Sequence, residues 1–495
     1  MARLAGKFLL IVLLYMTAGP CTLYGQIPLR SLEDLDRKEI GIGVLIATWQ
    51  ENYARERFPN ARIIPLNNTT DLLSLLRNGD CDVVFLAYPA CVYILEEAPD
   101  MAFLDQQVAA TSVSVGFRLN DTTLLPKFNA FLSQIRENGI LEQMEERWLE
   151  KTGGSMPAFP ESLESQEILR IGTTCMDVPF TFYQNNRPAG FDIEMTRRFA
   201  AWLGKKPVFV ISDFSGMLAG MSAGKMDMMA NYIMVTEERS AKYSFSDTYL
   251  TTYSSMLTLR NRLEHGSVIG KKSQDLTERF YNNLILDKRY LLLWDGLKAT
   301  LLIAFLSILG GTLMGAIICF LRMSRMKIAR IAASGYISFF RGIPQVVLLM
   351  LMFYVFFAST SMNGVTVSVI TFSLIFGAYV SEMFRSAIQS VPTGQTEAGI
   401  ALGFSRAGAF IQIVLPQAIK QVYPVYKGEL IALTKLTSIV GYIAVQDLTK
   451  ASDLIRSRTF DAFFPLIVIS VIYFFLSWGL ARLLDIALPT NIRHA

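Results

Sequence analysis

Five long apolar runs dominate the C-terminal part of the chain, at about 293–320, 333–358, 365–389, 422–446 and 463–487. Each exceeds the roughly 20 residues that a helix needs to cross a bilayer. Lipid offers backbone N–H and C=O groups no partner, so helices are the expected form. Before residue 263 the pattern changes. LRIGTTCMDVPFTFYQNNRPAGFDIEMTRRFAAWLG reads as strand, loop, hairpin and helix. SAGKMDMMANYIMVTEERSAKYSFSDTYL reads as the end of a helix, a buried strand, a turn and a loop. At the N-terminus, Arg3 and Lys7 precede an apolar run from Phe8 to Ala18 that is too short to span a bilayer. That pattern predicts a secretory signal over residues 1–25, cleaved after Gly25, and export of the α/β-patterned half behind it.

Composition narrows the chemistry. The 495 residues allow several domains, and a net charge of +4 gives no case for nucleic acid. The two histidines, His265 and His494, leave no metal cluster and no Ser-His-Asp triad, so no catalytic residue, metal or cofactor is expected. Cys21 falls in the signal. Cys81 and Cys91 read as buried thiols rather than a disulfide, and Cys175 and Cys319 as structural. HGSVIGKKSQ is no P-loop, because Gly266 and Gly270 are wrongly spaced and no strand precedes them.

Charge sets an expected orientation. Arg322, Arg325, Lys327 and Arg330 come after the first run, and the loop Ser359–Gly364 is uncharged. Arg406 and Lys420 precede the fourth run, the loop 447–461 balances three basic against three acidic residues, and Arg482 and Arg493 lie at and beyond the end of the fifth. The basic sides are cytoplasmic if the N-terminal half is outside, which leaves the C-terminus in the cytoplasm of a bacterial inner-membrane protein. Glu382 and Arg385, three apart on one face, read either as a mutual pair or as part of a solute path.

The run EAGIALGFSRAGAFIQIVLPQ, within residues 395–417, closely resembles the EAA loop of ABC-importer permeases. It reads as a short helix, a turn at Gly403 and a second helix ending at Leu415-Pro416. The resemblance implies that Glu397, Ala398, Gly403, Leu415 and Pro416 dock a separate ATP-binding subunit, and that the turn at Gly403 has no room for a side chain. FFRGIPQVVLLMLMFYVFF, GAYVSEMFRSAIQSVPTGQTEAG and KLTSIVGYIAVQDLTKAS resemble the second, third and fourth spans of histidine/glutamine-type permeases, with Leu436 where an Asp is usual. The family implies a permease dimer, with a second copy or a relative, driven by two ATP-binding subunits.

The soluble half resembles the type-II periplasmic solute-binding fold. Gly172-Thr173, Pro179-Phe180, Gly190-Phe191-Asp192, Gly224-Lys225-x-Asp227, Thr236-x-x-Arg239 and Phe245-Ser246-Asp247 match its first lobe. Residues 27–155 match its second lobe and closing helices, so the order is circularly permuted. The expected fold is an α/β two-lobe domain and then an all-α five-helix permease. The second lobe and closing helices take 27–155, a linker 156–167, the first lobe 168–262, a linker 263–289 and the permease 290–487. Two truncated modules are the rival account. Residues near Pro28 and Arg260 should then adjoin in the permuted module, where one hinge strand has been cut.

The resemblance places a small polar solute, an amino acid, between the lobes. Arg239 would take its carboxylate and Thr48 would receive an anion at a helix start. Phe180 would line the cleft, and Asn231 and Tyr232 would meet the ligand. Ala87 replaces the acidic partner of the ammonium, Met234 a Ser or Thr, and Thr174 another common acid; Asp177 is the alternative source of negative charge. A ligand-gated channel and a sensor with a vestigial pore are the competing readings; the channel does not explain the EAA resemblance.

Overall fold

The computed structural model describes residues 29–46, 48–150, 153–160, 164–263, 276–360 and 362–487. The expected signal, Cys21, both histidines, Gly266 and Gly270 lie outside the described residues. The chain forms two units. One comprises Met1–Val113 and Thr248–Gln274, the other Ser114–Asp247 and Asp275–Ala495.

In the first unit, β1 (Gly41–Leu45) pairs in parallel with β2 (Arg62–Leu66) and β3 (Val83–Ala87). β11 (Leu250–Leu259) runs antiparallel to β3 and to the first part of β4 (Met101–Arg118). The parallel strands are joined by α1 (Trp49–Arg57) and α2 (Thr69–Asn78), with α3 (Tyr88–Glu97) after β3. Thr48 and Asn68 cap α1 and α2 by accepting the free N–H of Glu51 and Asp71. Ile42, Val44, Val83, Phe85 and Met256 form the apolar core. Leu29 N donates to Arg262 O at 3.3 Å, so the start of the described chain adjoins the helical turn Arg260–Leu263. Arg262 pairs with Asp82, which also accepts from Gly41 N at 2.5 Å. Cys81 and Cys91 are buried free thiols, and burial pushes the Cys81 thiol up to about 12.

In the second unit, β5 (Ile168–Thr173) is parallel to β8 (Lys206–Ile211) and β9 (Met228–Met234), and the end of β4 pairs with β10 (Tyr243–Phe245). The hairpin of β6 (Phe182–Gln184) and β7 (Arg187–Ala189) turns through Asn185 and Asn186, both left-handed (φ 50° and 61°), a conformation that Asn tolerates. α4 (Leu124–Glu137) and α5 (Ile140–Glu145) pack near α6 (Phe191–Trp202), while α7 (Phe214–Ser222) and the short α8 (Glu237–Ser240) flank β9. Phe128 meets Phe199 edge-on with centroids 5.0 Å apart. Glu194, fully buried on α6, accepts from Arg147 at 2.9 Å, Trp148 Nε1 at 2.7 Å and Arg198 at 2.9 Å. A buried carboxylate is tolerated only with such complete pairing. The segment after α5 is thereby fixed to α6.

The apolar runs form α9 (Tyr290–Met323), α10 (Lys327–Gly342), α11 (Gln345–Leu351), α12 (Gly364–Ser390), α13 (Thr393–Ala401), α14 (Arg406–Ala409), α15 (Leu415–Leu436), α16 (Leu448–Thr459) and α17 (Phe464–Ala487). Among the described residues α9, α12 and α17 are long and apolar enough to cross a membrane alone. The second run is not one straight span. Its two parts, Lys327–Gly342 and Gln345–Phe356, meet at 106°. The cause is Pro344, which forces Ile343 into an extended conformation (φ −103°, ψ 137°) and supplies no N–H. The fourth run bends by 54° into α16. α9 and α12 approach closely because Gly311 and Gly315 leave space for Phe376 and Val380; a Cβ on either glycine would come within 2.8 Å of those side chains. Glu382 and Arg385 do pair, at 2.7 Å, and Arg322 on α9 lies 3.6 Å from Glu382. The pair therefore joins two helices.

The expected helix end at Leu415-Pro416 is not observed. α14 widens into a π turn, Phe410–Val414, and runs on through α15. The wider turn meets Pro416 at the second position of the next helical stretch, where its missing N–H is tolerated.

Candidate functional site

β5 and β9 are adjacent parallel strands, so residues at their C-terminal ends converge. Asn231, on β9, is buried at the centre. Its Oδ1 accepts from Thr174 N at 2.8 Å and lies 2.8, 3.1 and 3.2 Å from the hydroxyl oxygens of Thr174, Thr181 and Thr173. Its Nδ2 donates to Asp177 Oδ2 at 2.8 Å, and Thr174 Oγ1 lies 2.8 Å from the same oxygen. The loop carrying Asp177 is closed by a bridge to Thr181. Burial raises the Asp177 carboxyl above its usual range, against the hydrogen bonds from Thr174 and Asn231 and the positive charge of Lys450. The result is a strand-end cradle that presents one carboxylate held on one oxygen.

That arrangement makes a stability prediction. A raised pKa means that ionisation opposes folding, so the contribution favours the folded state below the unfolded carboxyl pKa and is lost as pH rises through the folded value. Asp177→Asn keeps an acceptor for both bonds and removes the charge. Its melting midpoint should rise by about 2–4 °C at neutral pH, and the difference from the parent should vanish in acid. Scanning calorimetry of the full chain checks this; a midpoint lowered at neutral pH would contradict it.

Phe180 is fully buried with its ring 4.1 Å from that of Tyr232. Tyr232 has a left-handed backbone (φ 49°), and its N–H donates to Asp192 Oδ2 at 2.6 Å. Arg239 lies on α8, whose N-cap Thr236 accepts its backbone N–H. Its Nη1 donates to Met234 O at 2.9 Å, and its guanidinium sits 5.0 Å above the Phe214 ring. Burial lowers its pKa from a very high starting value, so the charge persists. Asp177, Asn231, Phe180 and Tyr232 thus form one cluster. In the other unit, the Thr48 hydroxyl accepts from Glu51 N at 3.4 Å and donates to Leu45 O at 2.6 Å. Ala87 precedes α3 and offers no side-chain cap.

The same unit joins this α/β part to the membrane helices. Lys225 Nζ donates to Phe357 O and, at 2.9 Å, to Thr360 O, and lies 5.1 Å from the Phe353 ring centroid. Tyr354 OH lies 3.1 Å from Gly216 O and 2.9 Å from Tyr442 O. Gln446 donates to Tyr183 OH, and Arg458 lies over the Phe182 ring at 5.1 Å. The sequence marked none of these contacts, nor Thr181. The signals present were the Gly-Lys-x-Asp pattern at Lys225 and the basic residues of loop 447–461.

At the far end of α12, α13 and α14 enclose an exposed elbow. Glu397, Ala398 and Pro416 are at least partly open to solvent, and Leu402 is 79% exposed, with Ile400, Phe404 and Ile411 also exposed. Gly403 has φ +92°, yet a Cβ there would meet nothing within 4 Å. Space is therefore not what restricts this position, contrary to the expectation from sequence; the left-handed backbone is.

A family model for bacterial extracellular solute-binding proteins, family 3, matches residues 169–397. The "Probable amino-acid ABC transporter permease protein YckA" of Bacillus subtilis (strain 168) is 36% identical over 197 residues, which cover 40% of this chain and 87% of that protein. The "L-cystine transport system permease protein TcyB" of the same organism is 34% identical over 196 residues, 39% of this chain and 82% of that protein. A solved structure titled "Crystal structure of an amino acid ABC transporter with histidines" is 37% identical, covers 40% of this chain and 94% of its own, and has a TM-score of 0.38.

Proposed function

The chain belongs to the family of amino-acid ABC transporter permeases, and on that footing we propose that it imports a small polar amino acid captured by its own fused solute-binding lobes. It is a permease subunit rather than an enzyme, and ATP is hydrolysed on a partner subunit. Two permease copies and two ATP-binding subunits make the working unit, with the C-terminus in the cytoplasm. The observation that carries this reading is the exposed apolar elbow around Leu402. Exposed apolar side chains at a turn outside the long apolar helices fit a protein-protein contact, and they flank the turn expected to grip the ATP-binding subunit through Glu397, Ala398, Gly403, Leu415 and Pro416.

The receptor is a circularly permuted two-lobe module. Support comes from the hydrogen bond between Leu29 and Arg262, which adjoins the permuted ends, and from the anchoring of Arg147 and Trp148 on Glu194. β4 and β11 are both continuous, so the reordering falls after β11 at the Arg260–Leu263 turn and not within a hinge strand.

Co-purification with the ATP-binding subunit and reconstitution into vesicles tests the proposal. ATP-driven uptake of at least one common amino acid is expected. Solute-driven current without ATP would establish a channel instead. Arg239→Ala should weaken solutes bearing a carboxylate by about 10- to 100-fold, the worth of a charged hydrogen-bond pair. Unchanged calorimetric affinity would refute the role of Arg239.

A further inference from the structure

The solute-binding lobe meets a cation that belongs to the permease. Lys450 sits in the first turn of α16, where its backbone N–H donates to Asp447 Oδ1 at 3.0 Å. Its side chain reaches the loop that carries Asp177, with Nζ 3.5 Å from Met176 Sδ. The residue is only 6% exposed. Among the described residues no carboxylate forms an ion pair with it, and a thioether sulfur is a weak partner for an ammonium. Its charge does act on Asp177 and on Cys175, both in that loop.

A buried ammonium with no carboxylate in ion-pair contact is only partly compensated, and such a group persists where it serves something else. Asp177 offers one negative charge beside it, already held by Thr174 and Asn231. A negative and a positive group side by side match the two ends of an amino-acid zwitterion. We propose that Lys450 is a solute-binding residue: it takes the α-carboxylate of the solute while Asp177 takes the ammonium, so that the permease helix α16 completes the binding site of the receptor lobe. This rests on the importer reading above. On this inference Lys450 adds to the role proposed for Arg239 above, whose own variant tests that role separately. No covalent step is involved.

The test uses the full chain reconstituted with its ATP-binding subunit. The probe is whichever of the twenty common L-amino acids the parent protein takes up best, competed by the α-amide of that amino acid. Lys450→Gln should raise KM about tenfold or more with kcat little changed. The preference for the acid over its amide should fall by a similar factor. Lys450→Arg, which keeps the charge, should stay within about threefold of the parent. Met176→Glu places a carboxylate beside Lys450, consumes its charge, and should raise KM likewise; it carries the test if Lys450→Gln does not assemble. A KM and an acid-to-amide preference unchanged in either assembled variant would overturn the proposal and leave Lys450 as a tie between domains. Absence of uptake by the parent protein for all twenty would overturn the importer reading, a different result, and this inference with it.

Discussion

Replacing Lys225 by methionine is expected to abolish most of the solute-dependent stimulation of ATP hydrolysis while leaving solute affinity unchanged. Lys225 caps the C-terminal end of the broken second apolar run: it donates to the carbonyls of Phe357 and Thr360 and lies against the Phe353 ring. Phe357 O also accepts from Thr360 N and Thr360 Oγ1, and the negative end of the helix favours a cation there. Two charge-assisted hydrogen bonds and a cation–π contact are worth on the order of 3 kcal/mol together, about a hundredfold in the ratio of docked to undocked lobe. Methionine keeps the packing on Phe353 and loses the rest. Because Lys225 lies outside the Asp177–Asn231 cluster, the proposed binding site itself is untouched. The check is ATPase activity of the reconstituted complex with and without solute, beside calorimetric binding. Full stimulation in the variant would show that the lobe signals by another route.

Replacement of Gly403 by valine should reduce co-purification of the ATP-binding subunit by at least about tenfold, with solute binding intact. The φ of +92° is nearly closed to a β-branched residue, and left-handed backbone costs even an ordinary L-residue roughly 1–2 kcal/mol. The turn would reopen and shift Ile400, Leu402 and Phe404, which together form the exposed apolar surface. Since a Cβ meets nothing within 4 Å, bulk is not the obstacle. Gly403→Asn should accordingly be much milder, because Asn tolerates the left-handed region. Equal damage from valine and asparagine would restore crowding as the explanation and remove backbone conformation.

Hydropathy alone located the helical half, because a bilayer demands long apolar runs and little else does so. It misjudged the second run for a reason visible in FFRGIPQ. Apolar composition is blind to the direction of the chain, and Pro344 redirects it by 106°. It likewise read a helix end at Pro416, where the preceding π turn absorbs the proline. In the α/β half, Asp177 and Asn231 could be singled out because they stand at positions where the resembling fold meets its ligand. The hydroxyls of Thr173 and Thr181 look like ordinary strand residues until β5 and β9 pair. Lys450 was harder still. It contacts Met176 across 274 positions of sequence, and no local pattern encodes a meeting of a membrane-proximal helix with a distant loop.

The bonds from Tyr354 to Gly216 and from Gln446 to Tyr183 seat part of the proposed receptor on the helices of the same polypeptide. A freely diffusing receptor must find its transporter, and the rate of import then depends on how many receptors the cell makes. In the proposed importer each permease chain carries its own receptor in a fixed ratio of one to one, at an effective concentration set by geometry rather than by expression. Such a cell can raise import only by making more pores. It gives up the reserve of loaded carriers that an excess of free receptors provides.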